Sequence, residues 1–130
     1  MKTSQEIIKK FMEERGWEKQ LPDQVAKSIS IEAAELLELF QWTNPSVREV
    51  KGNPELFKEL QSELADVFIY CLEMAIIFNL DVHEIIKVKL AHAAKKYPAE
   101  LIRIASEGAP LANQEYLKIK KAYRKRKING

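Results

Sequence analysis

A single cysteine, Cys71, stands in a chain of 130 residues. That excludes an internal disulfide framework and a cysteine-clustered zinc site, and it fits a reducing compartment. Glycine and proline are also scarce, at 4 and 5 residues, which excludes collagenous and low-complexity architectures. No apolar run is long enough to cross a bilayer. The best candidate, Leu64 to Phe78, is too short and carries Asp66 and Glu73. The opening residues, Met1 to Glu6, place no apolar stretch behind their charge, so no secretory signal is expected and the expected setting is the cytoplasm. No segment reads as a strand, and no repeat of solenoid length is present. What is there is ordinary: 46% apolar and 31% charged residues, the composition of one soluble globular domain that can bury a core unaided.

Helix signals fill the chain. Thr3-x-x-Glu6 is a capping box that opens a first helix to about Arg15, closed by Gly16. Pro22 suits the first turn of a second helix, expected to reach Trp42, and Asn44-Pro45-Ser46 is a break. Asn53-Pro54 opens a third helix running to Phe78, with Asn79 as its stop. Asp81-x-x-Glu84 opens a fourth, to about Lys96, and Pro98 breaks it. Ala99 to Ser106 adds a short helix, Gly108-Ala109-Pro110 reads as a linker, and Asn113 caps a last basic helix. The expected fold is all-α: a compact bundle of four main helices with short C-terminal helices. The third helix is apolar nearly all round from Leu64 to Phe78. Such a helix is buried all round, and in so small a chain a second subunit is the simplest cover. A homo-oligomer is expected.

The charge pattern singles out two helices. Val25, Ile29, Leu36 and Phe40 share one arc of the second helix, and Glu32 falls inside that arc with Glu35 at its edge. Leu60, Val67, Tyr70 and Met74 share one arc of the third, with Glu63 inside and Asp66 at the edge. Residues three apart are neighbours on a helix face. A carboxylate facing a core is costly or becomes protonated, and four converging acids repel one another. A divalent cation would resolve both problems, and all-oxygen ligation suits Mg²⁺ or Mn²⁺. The competing reading is a set of solvated helix acids. A ferritin-like di-iron site needs Glu-x-x-His pairs. His83 and His92 are instead preceded at that spacing by Leu80 and Lys89, so both histidines read as surface or structural residues.

These motifs, in their surroundings, resemble the MazG-like nucleotide pyrophosphohydrolases. Glu14-Arg15-Gly16-Trp17, the run from Glu35 to Phe40-Gln41-Trp42, the run from Glu63 to Tyr70, and Lys95-Lys96-Tyr97-Pro98 come in the family's order, and Phe40-Gln41-Trp42 is similar to the dCTP pyrophosphatase branch. The resemblance covers about residues 5–98. It implies a helical catalytic domain over 1–98 and a C-terminal helical extension with a basic tail over 99–130. It implies assembly as a homodimer or homotetramer, and Mg²⁺-dependent hydrolysis of (deoxy)nucleoside triphosphates to monophosphate and pyrophosphate, which cleans the nucleotide pool. On this reading Glu32, Glu35, Glu63 and Asp66 hold the metal and Glu38 assists catalysis. Lys89, Lys96 and Tyr97 contact the phosphates, Trp42 stacks on the base, and Trp17 closes the pocket. Two positions depart from the family's pattern. Ala93 stands where an Asn is common, and the stretch from Glu18 to Leu21 lacks the histidine of the dCTP-type branch.

Net charge is +2, yet the segment from Lys118 to Lys127 carries seven basic residues and no acid, which leaves −5 for the other 120 residues. The alternative to the enzyme is a non-catalytic helical module that uses this tail to bind a partner or nucleic acid, with Tyr116 and Tyr123 as stacking groups. A solvated helix end is the simpler reading of the tail, and nucleic acid is not an expected partner.

Overall fold

A computed structural model describes residues 3–106 and 110–129, with side chains described for 3–103 and 117–128. The described chain is all-α: α1 (Ser4–Glu13), a 3-10 turn (Trp17–Lys19), α2 (Pro22–Glu38), α3 (Val47–Lys51), α4 (Pro54–Ile77), α5 (Val82–Lys96), α6 (Ala99–Ser106) and α7 (Pro110–Asn129). None of these helices is long and apolar enough to cross a membrane.

Local chemistry sets most of the boundaries. The Glu6 N–H donates to Thr3 Oγ1 at 3.3 Å and the Thr3 N–H donates to Glu6 Oε2 at 2.7 Å, closing the expected capping box. Gly16 turns the chain at φ 66°, a left-handed conformation that glycine adopts freely. Asn53 Oδ1 accepts from the Leu56 N–H at 3.2 Å and Pro54 fills the first helical position of α4. At the other end, Asn79 adopts φ 53° while the Leu80 N–H donates to the Ala75 carbonyl and the Asn79 N–H to the Ile76 carbonyl. That pair of bonds is a Schellman motif, with Asn in place of the more usual Gly.

Four boundaries differ from expectation. α1 closes at Glu13, slightly short of Arg15. α2 stops at Glu38 instead of Trp42, because its last turn tightens and the Phe40 N–H donates to the Leu37 carbonyl. α3 was not anticipated, although Ser46-x-x-Glu49 is a capping box with both of its bonds formed. α7 begins at Pro110 and runs 20 residues, so Asn113 falls inside it. Gly108 and Ala109 of the expected linker, and the Tyr116 side chain, lie outside the described residues.

The chain divides into two compact units, Met1–Val82 and His83–Gly130. In the first, α2 packs along α4 more extensively than any other pair, and α1, α3 and the 3-10 turn also pack on α4. The buried apolar residues are few: Met12, Val25, Val50 and Ala75. α4 is not covered all round within this unit. Phe68 is 60% exposed, and Leu64 and Cys71 are also exposed. In the second unit α6 packs on α7, and His92 of α5 hydrogen-bonds Tyr123 of α7.

One long-range clasp holds the first unit's ends together. Gln5 of α1 donates through Nε2 to the Leu80 carbonyl at 2.7 Å, and its Oε1 accepts from the Val82 N–H at 3.3 Å. Each such bond contributes on the order of 1 kcal/mol net. Gln5→Ala is expected to lower the unfolding free energy by about 1–2 kcal/mol. Urea denaturation checks it through a lower midpoint at unchanged slope.

Candidate metal centre

The packing of α2 on α4 brings the acids from the two apolar stripes together. Glu32, Glu63 and Asp66, all half-buried, each place one carboxylate oxygen within 4.8 Å of the others'. Their backbones are fixed by interior helical turns, and the stripes that position them are the core-facing residues Val25, Ile29 and Leu36 on α2 and Val67 and Tyr70 on α4. Glu35 and Glu38 follow on exposed turns of α2. Glu35 is not one of the three converging groups, but it stands close enough to act on both glutamates.

The electrostatics of the cluster are unfavourable in the absence of a cation. A hydrogen bond shared with Glu35 raises the Glu32 carboxyl above its ordinary value, reinforced by burial and by the charges of Glu35, Asp66 and Glu63. Burial raises Glu63, followed by the charges of Glu35 and Asp66 and a smaller contribution from Glu38. The negative field reaches Tyr70. Burial raises its hydroxyl first, then Glu73, Glu32 and Asp66, while a hydrogen bond with Ser28 opposes them. Among the described residues no lysine or arginine pairs with Glu32, Glu63 or Asp66. Glu63 Oε2 is buried and has no hydrogen-bond partner. Buried polar atoms are normally satisfied. An all-oxygen set of converging carboxylates with one orphaned acceptor fits a hard divalent cation such as Mg²⁺ or Mn²⁺.

A further acid, this one fully buried, was missed as such. Glu73 is only 3% exposed and its Oε2 also lacks a partner. Burial raises its carboxyl, and a hydrogen bond with Gln20 opposes that. The signal was available: Glu73 is one of two charges within the apolar run of α4.

The remaining predicted residues occupy several places. Trp17 packs edge-on against Phe11 at 5.7 Å between ring centroids, with Arg15 over the other ring. Trp42 lies beyond the end of α2 and is 86% exposed. Lys89, Lys96 and Tyr97 belong to the second unit. There Lys96 Nζ stands 4.9 Å from the Tyr97 ring centroid and 3.8 Å from that of Tyr123. Ala93, the departure from the family's asparagine, precedes Tyr97 by one turn and accepts its backbone N–H.

The profile of the MazG-like family matches residues 27–105, a span that contains all four predicted metal ligands. The chain is similar to dCTP pyrophosphatase 1 of Homo sapiens, at 34% identity over 98 residues, which cover 74% of this chain and 58% of that protein. The Bos taurus protein of the same name is 30% identical over 95 residues, covering 72% and 56%. The chain therefore spans little more than half the length of these relatives. Among solved structures, a pyrophosphatase from Archaeoglobus fulgidus matches with a TM-score of 0.62 at 39% identity, covering 72% of this chain and 87% of that one.

Proposed function

Because the chain belongs to the MazG-like family, we propose that it is a metal-dependent nucleoside triphosphate pyrophosphohydrolase, releasing monophosphate and pyrophosphate. The observation that carries the reading is the convergence of Glu32, Glu63 and Asp66 within 4.8 Å of one another, with no basic partner among the described residues. Glu35, beside them on α2, is the proposed fourth ligand, and Mg²⁺ or Mn²⁺ the proposed ion.

Bound there, a divalent cation would offset phosphate charge, polarise the α-phosphoryl group and make a water more acidic. The chain's own residues supply the rest. The four carboxylates would hold that cation, and through it the triphosphate, which their own negative charge would otherwise repel. Glu38, exposed on α2 and close enough to Glu63 to raise its carboxyl, takes the proton of the attacking water. Water adds to the α-phosphorus, the bond to the bridging oxygen breaks, and pyrophosphate leaves. Lys89, Lys96 and Tyr97 are the proposed phosphate contacts, on the sequence pattern. Trp42 is proposed to stack on the base, which its open indole supports. Trp17 is proposed to border the pocket from its position against Phe11.

Residues 1–98 are proposed as the catalytic region and 99–130 as an extension. A homodimer or homotetramer is proposed from the exposed apolar side of α4, at Leu64 and Phe68. The proposed setting is the cytoplasm, with nucleotides and not nucleic acid as the ligands. Pyrophosphate release from a panel of canonical and modified nucleoside triphosphates tests the function. The expected result is turnover in magnesium that stops in EDTA. Absence of turnover across the panel, with the protein folded and magnesium bound, would overturn it.

A further inference from the structure

The basic residues near the C-terminus read, in sequence, most simply as a solvated helix end. In the second unit part of that helix is engaged. The Tyr123 hydroxyl of α7 and Nε2 of His92 on α5 share a hydrogen bond, and the two rings meet edge to face at 5.4 Å. Lys96 Nζ lies 3.8 Å from the Tyr123 ring centroid, a cation–π distance. His92 and Tyr123 thereby form a wall common to two clefts. One, of about 480 Å³, is bordered by Glu84, Ile85, Val88 and Lys89, so its charges are balanced. The other, of about 400 Å³, is bordered by Lys95, Lys96 and Arg126, with Ile119 beside them.

The second cleft is chemically one-sided. Among the described residues three cations line it and no carboxylate does. Among the described residues, no acid lies within ion-pair distance of Lys95, Lys96 or Arg126. The last turn of each helix favours cations through its dipole, and Lys95, Lys96 and Arg126 all sit in such turns. Neither dipole requires the two sets to face one cleft, where they repel one another. An anion relieves that repulsion. An arginine fork matches phosphate oxygens in pairs, and lysine adds point charge. The Tyr123–His92 pair offers further hydrogen-bonding capacity in the same wall. The volume lies within the usual range of small-ligand sites, about 300–1,000 Å³.

We propose that this α5–α7 cleft is an oligophosphate-binding site, with Lys95 and Arg126 as its defining charges and Tyr123 and His92 as its hydrogen-bonding wall. It shares Lys96 with the hydrolase reading but does not depend on it, because anion binding here needs no divalent cation. The phosphate chain has two sources, a nucleotide and free pyrophosphate.

Calorimetric titration of the full chain with pyrophosphate, in EDTA and low salt, tests the site. The expected result is saturable binding to one site per chain. Lys95→Ala and Arg126→Ala should each weaken it about tenfold, since a hydrogen bond to a charged group is worth roughly that factor or more. Arg126→Lys should recover part of the loss. Lys125→Ala removes an α7 charge outside the cleft and should change affinity less than about twofold. Circular dichroism confirms that each variant is folded. A non-hydrolysable nucleoside triphosphate in a parallel titration separates the sources. Tighter binding than pyrophosphate assigns the site to the nucleotide, equal or weaker binding assigns it to the free product, and both support it. Absence of saturable binding would overturn the proposal even if turnover in magnesium is intact. So would equal losses in Lys125→Ala, or an oligonucleotide that binds more tightly than pyrophosphate, which would make α7 a nucleic-acid face. Binding that persists while no triphosphate is turned over supports the cleft and removes the hydrolase.

Discussion

Glu63→Gln is expected to lower triphosphate turnover by about a thousandfold, because it removes a proposed metal ligand and with it much of the charge stabilisation a cation would supply. The same change is expected to raise the thermal midpoint of the metal-free protein. Glu63 is held among Glu35, Asp66 and Glu38, and burial already favours its neutral form. Glutamine keeps the shape and removes the repulsion. The opposite signs separate a site residue from a structural one, since loss of a structural residue lowers both quantities. Glu59→Gln, an exposed acid on the same helix, serves as the control and should leave both unchanged. Pyrophosphate release and a melting curve on each variant provide the measurement. Turnover within tenfold of the parent protein would remove Glu63 from the site.

Without metal, the protein is expected to lose stability as pH rises above the ordinary carboxyl value of 4.5, and magnesium should restore it on the alkaline side. Glu32, Glu63 and Glu73 all have carboxyls raised above the ordinary 4.5. The folded protein therefore holds protons that the unfolded chain has released, between 4.5 and the raised values. Stability is greatest below that window and falls as pH rises through it. Glu49 slopes the other way, because Ser46 holds its carboxyl below 4.5. Its contribution is lost only on acidification below that value, so the two effects do not overlap. The proposed cation would bind the deprotonated cluster and lift the upper end, by about 2.7 kcal/mol at a hundredfold excess over its dissociation constant. Thermal melts across the pH range, in EDTA and in magnesium, give both curves. Glu73→Gln should flatten part of the EDTA slope and keep the magnesium response, since Glu73 stands apart from the three converging acids. A metal-free midpoint that climbs with pH would contradict the carboxyl assignments. A magnesium curve that overlays the EDTA curve would contradict the cation site.

The parts of the molecule that sequence made legible are those governed by near neighbours. The caps at Thr3 and Asn53 and the proline at position 54 act within one turn, and all three form as expected. Glu32 and Glu63 could be placed because helical periodicity alone puts them on the core-facing stripes. Where a signal was local and still overlooked, as with Ser46 and Glu49 before α3, the nearby Asn44-Pro45 break concealed a one-turn helix behind it. The end of α2 was harder. Leu39 and Phe40 continue its apolar pattern, and only the tightened turn shows that the helix has stopped. The pairing of His92 with Tyr123 was out of reach, since the residues are 31 apart and no periodic pattern links α5 to α7. Glu73 belongs to the same class: its spacing marks it as unusual, but only packing makes it buried.

The two indoles give the chain a built-in optical reporter. Trp17 is ordered against Phe11, while Trp42 is almost wholly in water on the segment that joins α2 to α3. Trp42, at 86% exposure against 45% for Trp17, is expected to emit at the redder edge. If the proposed stacking on Trp42 holds, nucleotide capture would quench that edge first and be visible in the unlabelled protein.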